Sequence, residues 1–233
     1  MENKSNCLIC NEELVYSTEP VKMKCMICGG EFETTVSCRN GHYICDDCHC
    51  AKGVEAILEV CSKTDSKNPI EIMQGLMRTP AIFMHGPEHH VMVGAALLAA
   101  YRNAGGDIDL GPALKEMERR GKQVPGGACG FWGCCGAGVS TGIFLSIAMQ
   151  ATPLTKESWG LSNQMTAAAL GEIGKLGGPR CCKRDSFVAA KTAVLFVKEH
   201  LGIEMELPEK IKCEFMRWNE QCIKLECPYF RGE

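Results

Sequence analysis

No apolar run in this chain of 233 residues approaches the roughly 18 that cross a bilayer, so no membrane span is expected. The opening stretch, Met1 to Cys7, holds no apolar segment of the secretory kind, and the chain is therefore expected in a reducing cytoplasm. A basic excess is missing as well. Formal net charge is -3, and the first fifty residues carry four Lys/Arg against eight Asp/Glu. A segment of that charge grips phosphates poorly, so no nucleic-acid partner is expected. There is no phosphate loop ending in Gly-Lys-Ser/Thr, no dinucleotide fingerprint and no Gly-x-Ser-x-Gly elbow. The three-cysteine spacing of a radical S-adenosylmethionine enzyme is absent too. Between residues 69 and 201 two-residue alternation is nearly absent, so strands are not expected there.

What is abundant is cysteine, with seventeen residues. In a reducing compartment these are metal ligands or reactive thiols more often than disulfides, and an odd number cannot pair completely. Eight potential ligands fall near the start as close pairs: Cys7/Cys10, Cys25/Cys28, Cys38/His42 and Cys45/Cys48. A short Cys-x-x-Cys turn holds both sulfurs on one cation. Gly29-Gly30 and Gly41 supply the permissive backbone such turns need, and Glu31 to Val36 alternates like a strand. Two structural Zn2+ ions are expected on these eight residues. The pairs share ions either in sequence, first with second and third with fourth, or as a cross-brace, first with third and second with fourth. Spacing leaves both open. His49 and Cys50 lie just outside, as exposed turn residues or as substitutes for a neighbouring ligand. A module this small buries too little surface to stand alone, so the metal supplies much of its folding energy.

The remainder reads as helical. A short apolar helix from Gly53 to Cys61 leaves the module, and the polar stretch from Ser62 to Pro69 reads as a linker. Helices are predicted over 69–78, 87–103, 111–120, 136–150, 158–176 and 184–201. In the last, Phe187, Ala190, Val194 and Val197 recur at three- and four-residue steps, and Gly202 stands at the C-cap. The expected fold is therefore α+β but mostly α. A small zinc-ribbon or treble-clef-like module over 1–52 precedes a cysteine-rich helix bundle over 53–233, whose tail resembles a metal-ligand segment.

Several clusters in that bundle could carry chemistry. His85, Glu88, His89 and His90 crowd the start of a helix, where they could move protons or bind a metal. A glycine-rich loop holds Cys129, Cys134 and Cys135 and feeds the next helix. Gly177 to Arg184 repeats the design with Cys181 and Cys182 flanked by Arg180, Lys183 and Arg184. Helix starts and neighbouring cations favour thiolates and anionic ligands, so depressed thiol pKa values are expected. If the two loops meet, their five thiols would suit an iron–sulfur cluster, a thiolate metal site or a cysteine relay. The tail adds Cys213, Cys222 and Cys227, either as cofactor ligands, with Cys61 or an open coordination position as the fourth, or as core cysteines.

These motifs together resemble a cysteine-rich domain-of-unknown-function family of anaerobic archaea and bacteria. The motifs are the paired ligands at the start, His85-Gly-Pro-Glu-His-His, Cys129-Gly-Phe-Trp-Gly-Cys-Cys-Gly and Gly178-Pro-Arg-Cys-Cys-Lys-Arg. The resemblance covers nearly the whole chain. It implies an anaerobic cytoplasm and, because members occur attached to methyltransferase-like proteins, a methyltransferase-like or iron–sulfur partner. It implies no particular reaction. The residues themselves point to an enzyme of sulfur transfer or redox chemistry on a small molecule. In that reading His85, Glu88 and His89 move protons, Cys129, Cys134, Cys135, Cys181 and Cys182 are ligands or nucleophiles, and Arg180 holds an anionic group. The alternative is a zinc-binding adaptor without catalysis.

Overall fold

The structure, a computed structural model, describes residues 7–10 and 12–231. The chain opens with an antiparallel hairpin, β1 (Leu14–Lys24) and β2 (Glu31–Cys38), in register from Leu14↔Cys38 to Lys24↔Glu31 with an irregularity between Tyr16 and Val21. Helix α1 follows at Asp46–Lys63. It starts ahead of the expected Gly53 and runs unbroken past residue 52. Its first turn belongs to the module, and its later turns place Ile57 and Cys61, both 0 % exposed, in the main core.

The segment between α1 and α2 (Pro69–Met77) is irregular, as a linker would be, but it is tied to the body. The Asn103 side chain donates to the Thr64 and Ser66 carbonyls at 2.8 and 3.0 Å, and Glu206 N–H donates to Lys67. The Asn68 side chain caps α2 by accepting from the Ile70 and Glu71 amides, and Pro69 sits where no helical N–H is needed.

Helix α3 (Glu88–Asn103) is the axis of the body. It packs against α1, α2, α4 (Leu110–Gly121), α6 (Gly136–Ala148) and α8 (Cys182–Leu201), and every residue from Val91 to Tyr101 is buried. A helix buried all round lacks an amphipathic stripe, which explains its uniform Ala and Leu content. Close approach depends on small residues. At Gly94 a Cβ would strike the Met117 sulfur of α4, and its N–H donates to Ser140 Oγ of α6 at 2.9 Å.

A four-residue helix, α5 (Ala128–Phe131), lies in the glycine-rich loop, and α7 (Glu157–Leu176) runs alongside α6. Helix α8 ends on Gly202 in the left-handed conformation, as its sequence predicts. Beyond it the described residues of the tail hold two 3-10 turns, Met216–Trp218 and Lys224–Glu226. The result is a small ribbon-like module followed by helices. Among the described residues no helix is long and apolar enough to cross a membrane.

Candidate metal centres and a thiol-lined cleft

The hairpin decides how the metal-ligand pairs combine. Its antiparallel register puts the chain entering β1 beside the end of β2, so Cys7/Cys10 meets Cys38/His42. The turn between the strands carries Cys25/Cys28 to the opposite end. The chain then returns to that end, where Met26 N–H donates to the Tyr43 carbonyl, and Cys45/Cys48 joins the second pair at the start of α1. This is the cross-brace, first with third and second with fourth.

Within each set the four donor atoms lie within 4.8 Å of one another. In the first set, His42 Nδ1 is 3.2 Å from Cys10 Sγ and 3.8 Å from Cys7 Sγ, and Cys10 and Cys38 sulfurs are 3.4 Å apart. Cys28 and Cys45 sulfurs are 3.8 Å apart in the second. A tetrahedral ion with thiolate bonds near 2.3 Å spaces its sulfurs by about 3.8 Å. Backbone amides already point at the sulfurs: Ile9 at Cys7, Ile27 at Cys25 and Asn40 at Cys38, at 3.4, 3.5 and 3.3 Å. Each set could hold a metal ion. Of the two neighbours, Cys50 is buried on α1 rather than exposed, and His49 places Nδ1 3.9 Å from Glu88 Oε2.

Between the module and the body lies a cleft of about 390 Å³, with Tyr16, His49, His85, Cys129, Arg180 and Cys182 in its walls. Arg180 crosses it from the body, donating to the Tyr16 hydroxyl with its guanidinium 5.2 Å from the ring centre. His85 is 8 % exposed, and neither ring nitrogen has a hydrogen-bond partner among the described residues. Burial, with Arg180 adding to it, lowers the His85 pKa to about 4, so the ring is neutral.

The other members of the histidine cluster point elsewhere. His89 is wholly buried, its Nδ1 3.2 Å from Ser186 Oγ and its Nε2 3.2 Å from the Phe83 carbonyl. Glu88 is also wholly buried and accepts from Phe83 N–H at 2.9 Å, while its other oxygen has no hydrogen-bond partner among the described residues. Burial raises its pKa to about 7. His90 places Nδ1 2.9 Å from the Val124 carbonyl.

The two vicinal cysteine pairs do approach each other, through Asp185. The Cys135 thiol donates to Asp185 Oδ2 at 3.9 Å, and the Cys181 N–H donates to the same oxygen at 3.4 Å. They do not form one five-thiol group, because no three of the sulfurs of Cys129, Cys134, Cys135, Cys181 and Cys182 lie within 4.8 Å of one another. Cys129 and Cys182 face the cleft, and Cys181 faces a separate pocket with Cys213, Cys222 and Cys227. Cys134 is half-buried and in neither wall.

The expected depression of the thiol pKa values is overturned for Cys135, Cys181 and Cys182. Burial pushes Cys135 up to about 12 and Cys181 up to about 11, and raises Cys182 as well. Loss of hydration penalises a thiolate more than the helix ends and nearby cations favour it. Cys61 is not in the tail pocket either; it is 0 % exposed within the core.

Sequence reasoning passes over Asp185 and Asn219. Asp185 pairs with Arg184 at 2.9 Å and bridges two helix starts, and Asn219 stands between Cys181, at 3.5 Å, and His85. Asp185 carried one signal, an acid in the first turn of a helix. Lys183, one of the three cations flanking the cysteine pair, is 0 % exposed with Nζ unpartnered among the described residues, and burial lowers its pKa to about 8.

The model of the Family of unknown function (DUF5714) matches residues 57–230. No curated protein and no solved structure matches the chain. The family match begins inside α1, after the last ligand of the module, so it covers the body and tail but not the paired ligands at the start. The chain belongs to this family.

Proposed function

We propose that this member of the family is a thiol- and metal-dependent enzyme that acts on a small anionic molecule in the cleft, in sulfur transfer or related redox chemistry. The observation that carries this is His85, a buried imidazole beside Asn219 with no well-formed hydrogen bond at either nitrogen among the described residues, in a wall shared with Cys182 and Arg180. A buried polar group left without partners costs on the order of 1–3 kcal/mol, and such a cost at a cleft wall suits a group that a ligand satisfies.

Arg180 would leave Tyr16 to pair with the anionic group. Neutral His85 would accept a hydrogen bond from the Cys182 thiol, whose proton would end on the departing donor thiol. The Cys182 sulfur would then attack the terminal sulfur of a low-molecular-weight persulfide, leaving a persulfide on Cys182 and releasing the donor's thiol. Burial opposes the Cys182 thiolate, and the neighbouring Arg180 charge, which acts to lower the Cys182 pKa, would offset part of that. Two zinc ions in the module would be structural, because four protein donors fill each site and soft thiolates suit zinc. All seventeen cysteines are free, as suits a reducing cytoplasm.

The test is anaerobic incubation with a persulfide donor, followed by alkylation and peptide mass spectrometry. The extra sulfur should map to Cys182 and be lost in Cys182→Ala, with slower labelling in His85→Ala. Labelling of Cys134 instead, or no labelling, would reject the reading.

The adaptor reading keeps one observation of its own. The knuckle residues Leu8, Ile9, Met26 and Ile27 are all exposed, Ile27 by 60 %. Apolar knuckle tips would suit docking to a methyltransferase-like or iron–sulfur enzyme. A protein that fails the persulfide test but co-purifies with such an enzyme, and loses it on Ile27→Asp, would favour this second reading.

A further inference from the structure

We infer that Cys181, Cys213, Cys222 and Cys227 are the four ligands of an iron–sulfur cluster of the [4Fe–4S] type, seated against the N-terminus of α8. The inference concerns a site separate from the cleft and does not depend on what the cleft binds.

The first ground is convergence. Cys181 caps α8, and the other three come from the tail, yet all four line one pocket. The Cys213 N–H donates to the Tyr229 carbonyl at 2.7 Å, which folds the two ends of the tail together.

The second ground is spacing. In the module every set of four donors falls within 4.8 Å, but no three of these four sulfurs do. A single tetrahedral ion, which needs sulfurs about 3.8 Å apart, is therefore a poor occupant. A cubane core, with one iron per thiolate, holds its cysteines farther apart.

The third ground is what surrounds the sulfurs. Phe215 N–H points at Cys213, Lys224 N–H at Cys222 and Arg184 N–H at Cys181, at 3.4, 3.4 and 3.5 Å. Cys213 and Cys222 repeat the amide-to-sulfur turn found at Cys7, Cys25 and Cys38, in which the second residue on donates back. Met84, Phe215, Met216, Ile223, Tyr229 and Phe230 make the rest of the wall mostly apolar. Such a wall would shield a cluster from solvent.

The fourth ground is charge. A cluster with four thiolates is an anion. Arg184 lines the pocket with its charge paired to Asp185, and Lys183, buried and without a hydrogen-bond partner among the described residues, stands 4.5 Å from the Phe215 ring. The α8 N-terminus adds its own positive end. The free space among the sulfurs is tight, about 20 Å³, so an inorganic core must spread the tail loops. The tail, built among the described residues of loops and single 3-10 turns, is the segment that would move.

The experiment is iron, acid-labile sulfide and zinc analysis on the full chain, purified without oxygen and reconstituted with ferrous iron and sulfide. Expected are about four iron and four sulfide per chain, with a brown visible spectrum. Cys222→Ser and Cys227→Ser, at half-exposed positions, should lose most of that iron while retaining the zinc and helical signal of the parent. Cys134→Ser should keep it. Protein that takes up no iron, or binds zinc at these cysteines, would overturn the inference. So would equal iron loss in Cys134→Ser. The readout is metal content, so a failed persulfide test leaves it untouched.

Discussion

The Cys135 thiol meets the Asp185 carboxylate at 3.9 Å, joining the start of α6 to the start of α8. The same carboxylate holds the Cys181 amide and pairs with buried Arg184 at 2.9 Å. One aspartate thus orients the loop that separates cleft from tail pocket. Asp185→Asn keeps the shape but strands the Arg184 charge, which is 4 % exposed. Breaking a buried pair in this way costs about 3–5 kcal/mol. Urea denaturation of the two proteins should show that loss; a change within error would mean the pair carries little.

The cross-brace makes a stoichiometric prediction. Cys10→Ser and Cys38→Ser should each lose one bound zinc and keep the other, and the double variant should lose no more than either. Combining Cys10→Ser with Cys28→Ser should lose both ions. Under sequential ligation the outcomes reverse: Cys10 and Cys28 would share an ion. Zinc analysis of the variants decides between the two.

Glu88 makes stability depend on pH in an unusual direction. Its folded pKa, about 7, lies above the ordinary 4.5 because burial penalises the carboxylate. The unfolded chain therefore releases this proton first as pH rises. Stability is unaffected below the ordinary value, falls as pH climbs through the interval, and levels off above the folded value. The full penalty is about 3 kcal/mol by order of magnitude. His49, Lys183 and Asp46 face the carboxylate and are retained in Glu88→Gln. That variant should gain on the parent by about 1 kcal/mol more at pH 8 than at pH 6. Parallel denaturation curves across this range would remove Glu88 as the cause.

Two glycines should respond oppositely to alanine. At Gly142 in α6 a Cβ would collide with Thr166 Oγ1 and sit 2.9 Å from the Ser162 carbonyl of α7. Backbone cannot yield cheaply, so Gly142→Ala should cost about 1–3 kcal/mol. At Gly160 in α7 nothing lies within 4 Å, so Gly160→Ala should gain up to about 1 kcal/mol from helix propensity. Thermal melts of both variants test the α6–α7 contact.

Local signals carried much of the fold. Gly202 marks the end of α8 through the left-handed backbone it allows, and the six helices predicted from residue 69 onward begin and end within two residues of those observed. The paired spacing of Cys7 to Cys48 was equally legible, because two ligands on one turn is a short-range constraint. The start of α1 was missed because its first turn, Asp46 to His49, is polar and holds a metal ligand, so no apolar stripe announces it.

The sequence by itself determined that this is a cysteine-rich, mostly helical chain with ligand pairs at its start, since each of those features depends on residues a few positions apart. Tertiary structure alone decided which pairs share a site, because that follows from the antiparallel register of β1 and β2. It alone parted Cys181 from Cys182, sending one to the tail and the other to the cleft. It also reversed the expected thiol acidity. Spacing reports neither burial nor the return of a distant segment, and the desolvation that sets those pKa values exists only once the chain has folded around them.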